Sequence, residues 1–163
     1  MKSSWQDETG SQSVTAPLSL IISAFAPVFD VRKTLTPEIR ACDEGSVLLL
    51  IDLGQGRNRM GASALAQVYA QTGDVGPDLD DVALFKSFFI AIQQLIEHDL
   101  ILAYHDRSDG GLITTLCEMA FAGRCGLALS FEESMVCGVG GLRARLFAEE
   151  PGAVIQVAES QYQ

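Results

Sequence analysis

Basic residues are scarce in this sequence, and their scarcity limits the partners that the protein can have. The 163 residues include 11 Lys and Arg against 21 Asp and Glu, which gives a formal net charge of −10. Nucleic acids and anionic membrane surfaces are bound by positively charged protein faces. We therefore expect neither as the main partner, although a local anion site built from backbone amides is compatible with this charge.

Histidine, paired cysteines and long apolar runs are also rare or missing. Two histidines leave no basis for a Ser-His-Asp triad, and the four cysteines (Cys42, Cys117, Cys125 and Cys137) form no C-x-x-C pair. We therefore predict reduced thiols and no zinc site. No run reaches the roughly 18–20 apolar residues that span a bilayer, and the polar N-terminus does not resemble a secretory signal. These absences predict a cytoplasmic protein with no membrane partner.

Strand and helix patterns alternate along most of the chain. Apolar residues make up 48% of it, enough for one domain with a sizeable core. Short apolar runs predict strands at 18–25, 46–53, 100–104, 126–131 and 153–157. Helical spacing predicts helices at 62–71, 85–96, 112–120 and 142–149, the second of them capped by Asp80 or Asp81. We predict an α/β (α+β) fold, a layered sandwich in which helices cover a mixed sheet.

The ends and loops of the chain suggest its domain organisation. Residues 1–16 are polar and lack periodicity, so we expect a flexible arm or a severed connection there. Residues 17–163 contain no convincing linker and are expected to form one domain. A glycine-containing loop is predicted at 132–141.

Two glycine motifs in the first half of the domain do not support nucleotide binding. Gly54-x-Gly56 lacks the third glycine of a dinucleotide fingerprint, because Arg59 stands in its place. The segment that begins at Gly56 resembles a P-loop but carries Ala62 where the lysine belongs. Arg57 and Arg59 are interpreted as exposed loop residues, with phosphate contact as the alternative.

The most informative segment joins a predicted strand to a predicted helix. It reads His105-Asp106-Arg107-Ser108-Asp109-Gly110-Gly111, and we call it the turn motif. Free N–H groups at a helix start attract anions, and an adjacent carboxylate can hold a divalent cation that bridges to the anion. In the plainer interpretation, Asp109 caps the helix, Gly110 and Gly111 permit a tight turn, and Asp106 is a solvated acid. The spacing alone leaves both interpretations open.

The turn motif and its neighbours resemble the large, single-chain phosphoribosylformylglycinamidine synthases. The similarity includes Tyr104–Leu112 and Glu118–Gly123, and it continues in further blocks at 17–25, 49–54, 61–69 and 152–157. Enzymes of this family contain two tandem halves, each similar to aminoimidazole ribonucleotide synthetase. The resemblance covers residues 17–157 and implies that 17–163 form the C-terminal subdomain of the second half.

This resemblance also implies a role for the turn motif. The family converts formylglycinamide ribonucleotide, ATP and glutamine to formylglycinamidine ribonucleotide, ADP, phosphate and glutamate. By resemblance, Asp106 is a magnesium ligand, and Ser108, Gly110 and Gly111 contact the nucleotide, a structural ADP that does not turn over. No catalytic residue is implied in this chain, because no cysteine lies in a glutaminase nucleophile motif. The other magnesium ligands and most ATP contacts belong to the preceding subdomain.

The implied partners are the other domains of the same enzyme and the nucleotide. These domains are the preceding N-terminal subdomain, the first half and the glutaminase domain. Surfaces that face them would also permit a homodimer of the isolated domain. Two other functions stay open: a scaffold whose glycine turn binds nothing, and an independent module that binds a small anion.

Overall fold

A computed structural model describes residues 2–15, 21–73, 75–130 and 141–162. The chain divides into two compact units, residues 1–31 and 32–163. None of the helices in the described ranges combines the length and the apolar character needed to cross a bilayer.

The first unit contains a β-hairpin that the sequence pattern does not predict. Strands β1 (Lys2–Asp7) and β2 (Gly10–Thr15) pair antiparallel. The Asp7 Oδ1 atom accepts hydrogen bonds from the Thr9 amide at 2.8 Å and the Thr9 hydroxyl at 2.5 Å. Gly10 supplies a φ of 121° that closes the turn. Nearly every side chain of both strands is exposed, so no apolar alternation marks them in the sequence.

The predicted strand at 18–25 is not formed in its described part. Residues 16–20 lie outside the described residues, and residues 21–25 have no regular structure. Their apolar side chains are exposed, namely Ile21, Ile22 and Phe25.

The second unit is built on a three-stranded sheet with its last strand in the middle. Strands β3 (Ser46–Asp52), β4 (Ala103–Asp106) and β5 (Gly152–Ala158) lie in the order β3-β5-β4. Both outer strands run antiparallel to β5, and Leu49 lies opposite Ile155. The prediction of a mixed sheet is therefore wrong for the described strands. The outer strands point the same way, but β5 separates them, so no parallel pair forms among these strands.

Helices pack on both faces of this sheet. The described helices are α1 (Ala64–Val68), α2 (Val82–Glu97), α3 (Gly111–Gly123) and α4 (Gly141–Phe147), with short 3₁₀ turns at Val31–Lys33 and Glu159–Gln161. On one face, apolar residues of α3 pack with strand residues Ala103 and Val154. On the other face, Ile92 of α2 packs with Ile155 and Val157. This arrangement confirms the α+β class and its layers.

Most predicted elements agree with the structure. In α2, side chains stabilise both ends of the helix. The Asp81 carboxylate accepts the Leu84 amide at 2.8 Å, so the second candidate is the N-cap. At the other end, the Lys33 ammonium donates to the Glu97 carbonyl at 2.6 Å. A cation there stabilises the negative end of the helix dipole.

A second predicted strand also fails, and one predicted loop cannot be compared. The strand at 126–131 is wrong in its described part, because residues 126–130 form no strand. The loop at 132–141 lies outside the described residues except for Gly141, which begins α4.

Candidate functional site

The two glycines of the turn motif allow α3 to begin where it does. Gly110 is the N-cap residue, with a φ of 84°, and Gly111 has a φ of 72°. A Cβ atom at Gly110 would collide with the Thr114 hydroxyl oxygen. A Cβ atom at Gly111 would lie 2.7 Å from the Phe147 carbonyl carbon. Both positions need glycine, because conformation and space each exclude a side chain.

The candidate metal ligand and the candidate hydroxyl both face solvent. Asp106 ends β4, its side chain is 71% exposed, and Ser108 is also exposed. Burial and then the nearby Asp106 charge raise the pKa of Tyr104. A single carboxylate suits Mg²⁺, which takes oxygen ligands and keeps several waters, but the ion needs further ligands from phosphate or another domain.

The described residues contain no cluster of metal-binding side chains around Asp106 or elsewhere. In the described part of the chain, no group of three or more His, Cys, Asp or Glu side chains is placed to hold a metal ion.

His105 joins the motif to α3 through its ring. Its Nε2 atom lies 2.7 Å from Glu118 Oε2, and its Nδ1 atom lies 3.7 Å from Asp106 Oδ1. The ring therefore connects the end of β4 to α3 through its hydrogen bond with Glu118.

Arg107 anchors the motif to the rest of the domain. Its side chain is buried and its Nε atom donates to the Glu150 carbonyl at 2.5 Å. Its Nη2 atom donates to Asp52 Oδ1 at 2.5 Å and to the Pro151 carbonyl at 3.1 Å. Because Arg107 is fixed between Asp106 and Ser108, its neighbours on either side are turned outward.

The amides of both glycines already donate hydrogen bonds. The Gly110 amide donates to Glu149 Oε1 at 2.8 Å, and the Gly111 amide donates to the Ser108 carbonyl at 2.9 Å. Asp109 precedes the N-cap position, so the interpretation of Asp109 as the cap is wrong. The anion at the start of α3 is instead the carboxylate of Glu149, which lies 39 residues further along the chain.

Glu149 holds a second backbone amide with the same oxygen. The Ala64 amide, at the first residue of α1, donates to Glu149 Oε1 at 2.7 Å. Glu149 is not among the site residues that the sequence predicts. No local signal marks it, because both of its partners are distant in sequence.

The next residue, Glu150, forms a buried ion pair with Arg59. Glu150 is fully buried and accepts the Arg59 amide at 2.8 Å, Nε at 2.8 Å and Nη2 at 2.7 Å. Hydrogen bonds to Glu150, and then to Asp80, raise the pKa of Arg59. The interpretation of Arg59 as an exposed loop residue is wrong, since its side chain is 12% exposed.

Asp80 extends this ion pair to the surface. Its carboxylate lies 2.7 Å from Arg59 Nη2 and 2.5 Å from Arg57 Nη1. Partial burial opposes ionisation of Asp80, but the two arginines outweigh it and hold its pKa below the usual range. Arg57, with a side chain 48% exposed, is the loop arginine that the sequence predicts.

Packing against this network also explains a glycine of the rejected dinucleotide motif. A Cβ atom at Gly54 would lie 2.7 Å from Glu150 Cβ. Gly61 has a similar role, because its Cβ atom would collide with the Val75 carbonyl group. These glycines serve close packing.

Comparison with known families identifies the second unit. Residues 43–162 match the family described as AIR synthase related protein, C-terminal domain, where AIR is aminoimidazole ribonucleotide. The chain belongs to this family. The match to the AIR synthase-related C-terminal domain covers the three-stranded sheet, the helices α1 to α4 and the turn motif. Such domains belong to ATP-dependent, ligase-like enzymes of the purine-biosynthesis type.

Proposed function

We propose that this chain is the C-terminal AIR synthase-like subdomain in the second half of a phosphoribosylformylglycinamidine synthase. That enzyme is a glutamine-dependent ligase of the cytoplasm, which forms formylglycinamidine ribonucleotide at the expense of ATP. The family match supports the superfamily, and the sequence blocks around the turn motif support this member of it. The observation that carries the proposal is the exposed pair Asp106 and Ser108 at the junction of β4 and α3.

Four residues of the turn motif have a part in this proposal. Asp106 would hold Mg²⁺, the Ser108 hydroxyl would contact a phosphate of ADP, and Gly110 and Gly111 would form the turn beneath the nucleotide. Bound magnesium would neutralise phosphate charge. The chain supplies no catalytic group of its own in this proposal, and the nucleotide would be a structural one.

The rest of the proposed site would come from the neighbouring domains. Magnesium favours six oxygen ligands in near-octahedral geometry, and the turn motif offers one carboxylate. The preceding N-terminal subdomain would supply further ligands, and the first half and the glutaminase domain would be the other partners. On its own, the domain could also pair with a second copy.

The test is the affinity for ADP in the presence of Mg²⁺, measured by isothermal titration. We expect binding to tighten by about tenfold or more when the preceding subdomain is added, because the half-site is then completed. Asp106→Asn should remove that gain. Asp109→Asn, which alters another exposed acid of the turn motif, should leave it. Equal affinity with and without the preceding subdomain would contradict the proposal.

A scaffold without a ligand is the second candidate function. One observation favours it, namely that the Gly110 and Gly111 amides already donate hydrogen bonds within the chain. A scaffold predicts that Asp106→Asn leaves the affinity for ADP unchanged, so the same titration separates the two functions.

A further inference from the structure

One carboxylate oxygen of Glu149 connects the start of α1 to the start of α3, which lies in the turn motif. Glu149 Oε1 accepts the Gly110 amide at 2.8 Å and the Ala64 amide at 2.7 Å. Hydrogen bonds to an ionised acceptor are stronger than neutral ones. The two amides are therefore fixed relative to each other through Glu149.

The backbone on both sides of Glu149 is itself fixed. The Ala148 amide donates to the Ala144 carbonyl at 2.8 Å, which extends the last turn of α4. On the other side, Glu150 is fully buried in its ion pair, and its carbonyl accepts from Arg107 Nε. The backbone of Glu149 is thus held in place from both sides, and its carboxylate starts from a fixed position.

The bond from Gly110 to Glu149 restricts what the proposed nucleotide can contact. A backbone amide has one hydrogen to donate, and the Gly110 hydrogen is directed at a carboxylate. A phosphate could take it only by displacing Glu149, a group of the same charge sign. Ser108 and Asp106 have no such restriction, since both are exposed.

We propose that Glu149 is the positioning residue of the Mg²⁺–nucleotide turn. It holds the Gly110 amide so that Asp106 and Ser108 present their side chains to the ligand, and it keeps that amide out of phosphate binding. Phosphate contact then falls to the Ser108 hydroxyl and to the metal ion at Asp106. This inference rests on the proposed function for its ligand.

The first test is amide hydrogen exchange on the whole chain, followed by NMR. Glu149→Ala should speed exchange at Gly110 and Ala64 together, by about tenfold or more, because both lose their acceptor. Glu149→Gln should stay within about threefold of the original rates, because its side-chain oxygen still accepts hydrogen bonds. Glu97→Ala, at an exposed site on α2, is the control and should change neither rate. Unchanged exchange at Gly110 and Ala64 in Glu149→Ala would overturn the proposal.

The second test adds the ligand. With the preceding subdomain present, Glu149→Ala should weaken binding of ADP and Mg²⁺ about fivefold or more, and Glu149→Gln should restore most of it. Tighter binding in either variant would show that the carboxylate competes with phosphate, and would overturn the proposal. If no variant binds ADP, the proposed function fails, while the exchange rates still decide whether Glu149 holds the turn.

A third measurement needs no variant and covers the case in which Glu149→Ala does not fold. Inorganic phosphate is titrated into the unaltered chain, and the Gly110 and Ser108 amide resonances are followed. We expect the saturable shift to be larger at Ser108 than at Gly110, because the proposed phosphate contact is the Ser108 hydroxyl. A saturable shift that is larger at Gly110 than at Ser108 would show that phosphate reaches the Gly110 amide directly, and would overturn the proposal.

Discussion

Glu149 and Glu150 are adjacent, yet their carboxylates have different partners and different burial. Glu149 binds backbone amides near the surface, whereas Glu150 is fully buried against Arg59. Burying a carboxylate is unfavourable unless a cation and hydrogen bonds compensate it. The three hydrogen bonds from Arg59 provide that compensation.

Removing the charge of Glu150 should therefore destabilise the domain. We predict that Glu150→Gln lowers the free energy of unfolding by about 3 kcal/mol, because the Arg59 guanidinium loses its buried counter-charge. Urea unfolding followed by circular dichroism measures this change. The control is Glu97→Gln on the exposed surface of α2, which should change stability by less than about 0.5 kcal/mol. A loss below about 1 kcal/mol for Glu150→Gln would contradict the prediction.

The stability of the domain should also depend on the ionisation of Asp80. Partial burial raises the pKa of Asp80, but the hydrogen bonds from Arg59 and Arg57 lower it by more. The pKa therefore lies below the ordinary value of 3.8 for an aspartate. The folded pKa is thus below the unfolded one, so the stabilisation is present above about pH 4 and is lost as the pH falls through the folded pKa.

The lowered pKa of Asp80 can be tested by thermal unfolding between about pH 5 and about pH 3. We predict that the Tm of Asp80→Asn falls less steeply with pH than that of the unaltered chain, because the variant lacks this titration. Asp109→Asn, at an exposed acid of the turn motif, serves as the control. Equal slopes for Asp80→Asn and the unaltered chain would show that Asp80 has no such role.

At the residue scale, the sequence predicts the glycine turn of the turn motif, but it misplaces the helix cap at Asp109 and misses the residues that contact the motif from elsewhere. The exposure of Asp106 fits both interpretations of this residue, as a magnesium ligand and as a solvated acid. Glu149 and Glu150 are beyond the reach of sequence patterns, because their partners lie 39, 85 and 91 residues away. No periodicity or short motif encodes contacts at such distances.

At the scale of elements, the junction between α3 and α4 depends on Gly111. A Cβ atom there would lie 2.7 Å from the Phe147 carbonyl carbon and 2.8 Å from the Ala148 carbonyl oxygen, at a φ of 72°. A substitution must therefore strain the turn and also move the two helices apart.

Three alanine variants separate strain from crowding. Gly56 has a φ of 76° with nothing within 4 Å of the position that a Cβ atom would take, and Gly126 has open space without a positive φ. We predict losses of about 1–2 kcal/mol for Gly56→Ala from backbone strain alone and little change for Gly126→Ala. Gly111→Ala should lose about 1–3 kcal/mol beyond Gly56→Ala from overpacking. Urea unfolding measures all three, and equal losses at Gly111 and Gly56 would contradict the role of crowding.

Among the elements, those buried on both faces are the easiest to predict. Strand β5 is buried along most of its length because α2 and α3 cover the sheet from either side, and its sequence is largely apolar. Strand β3 is an apolar run as well, although it is only partly buried. The hairpin of β1 and β2 is exposed along nearly its whole length, so it carries no pattern. The central position of β5 could not be predicted, since no local pattern specifies which strand lies between two others.

At the scale of the whole molecule, the excess of acidic residues should affect stability. A net charge of −10 in 163 residues produces self-repulsion in the folded state. We predict that raising NaCl from about 20 to 200 mM raises the Tm by about 2–4 °C, because salt screens exposed charges. The buried pair of Arg59 and Glu150 is screened much less. A Tm that falls with added salt would show that attractive surface pairs outweigh the repulsion.

The central place of β5 has a consequence for the order in which the domain is made. On the ribosome, β3 and β4 emerge before the strand that joins them, so each waits with an unpaired edge until Gly152–Ala158 has left the exit tunnel. Unpaired strand edges promote aggregation. A nascent chain stalled before residue 152 would therefore be a client for chaperones, because the sheet can close only after β5 has been synthesised.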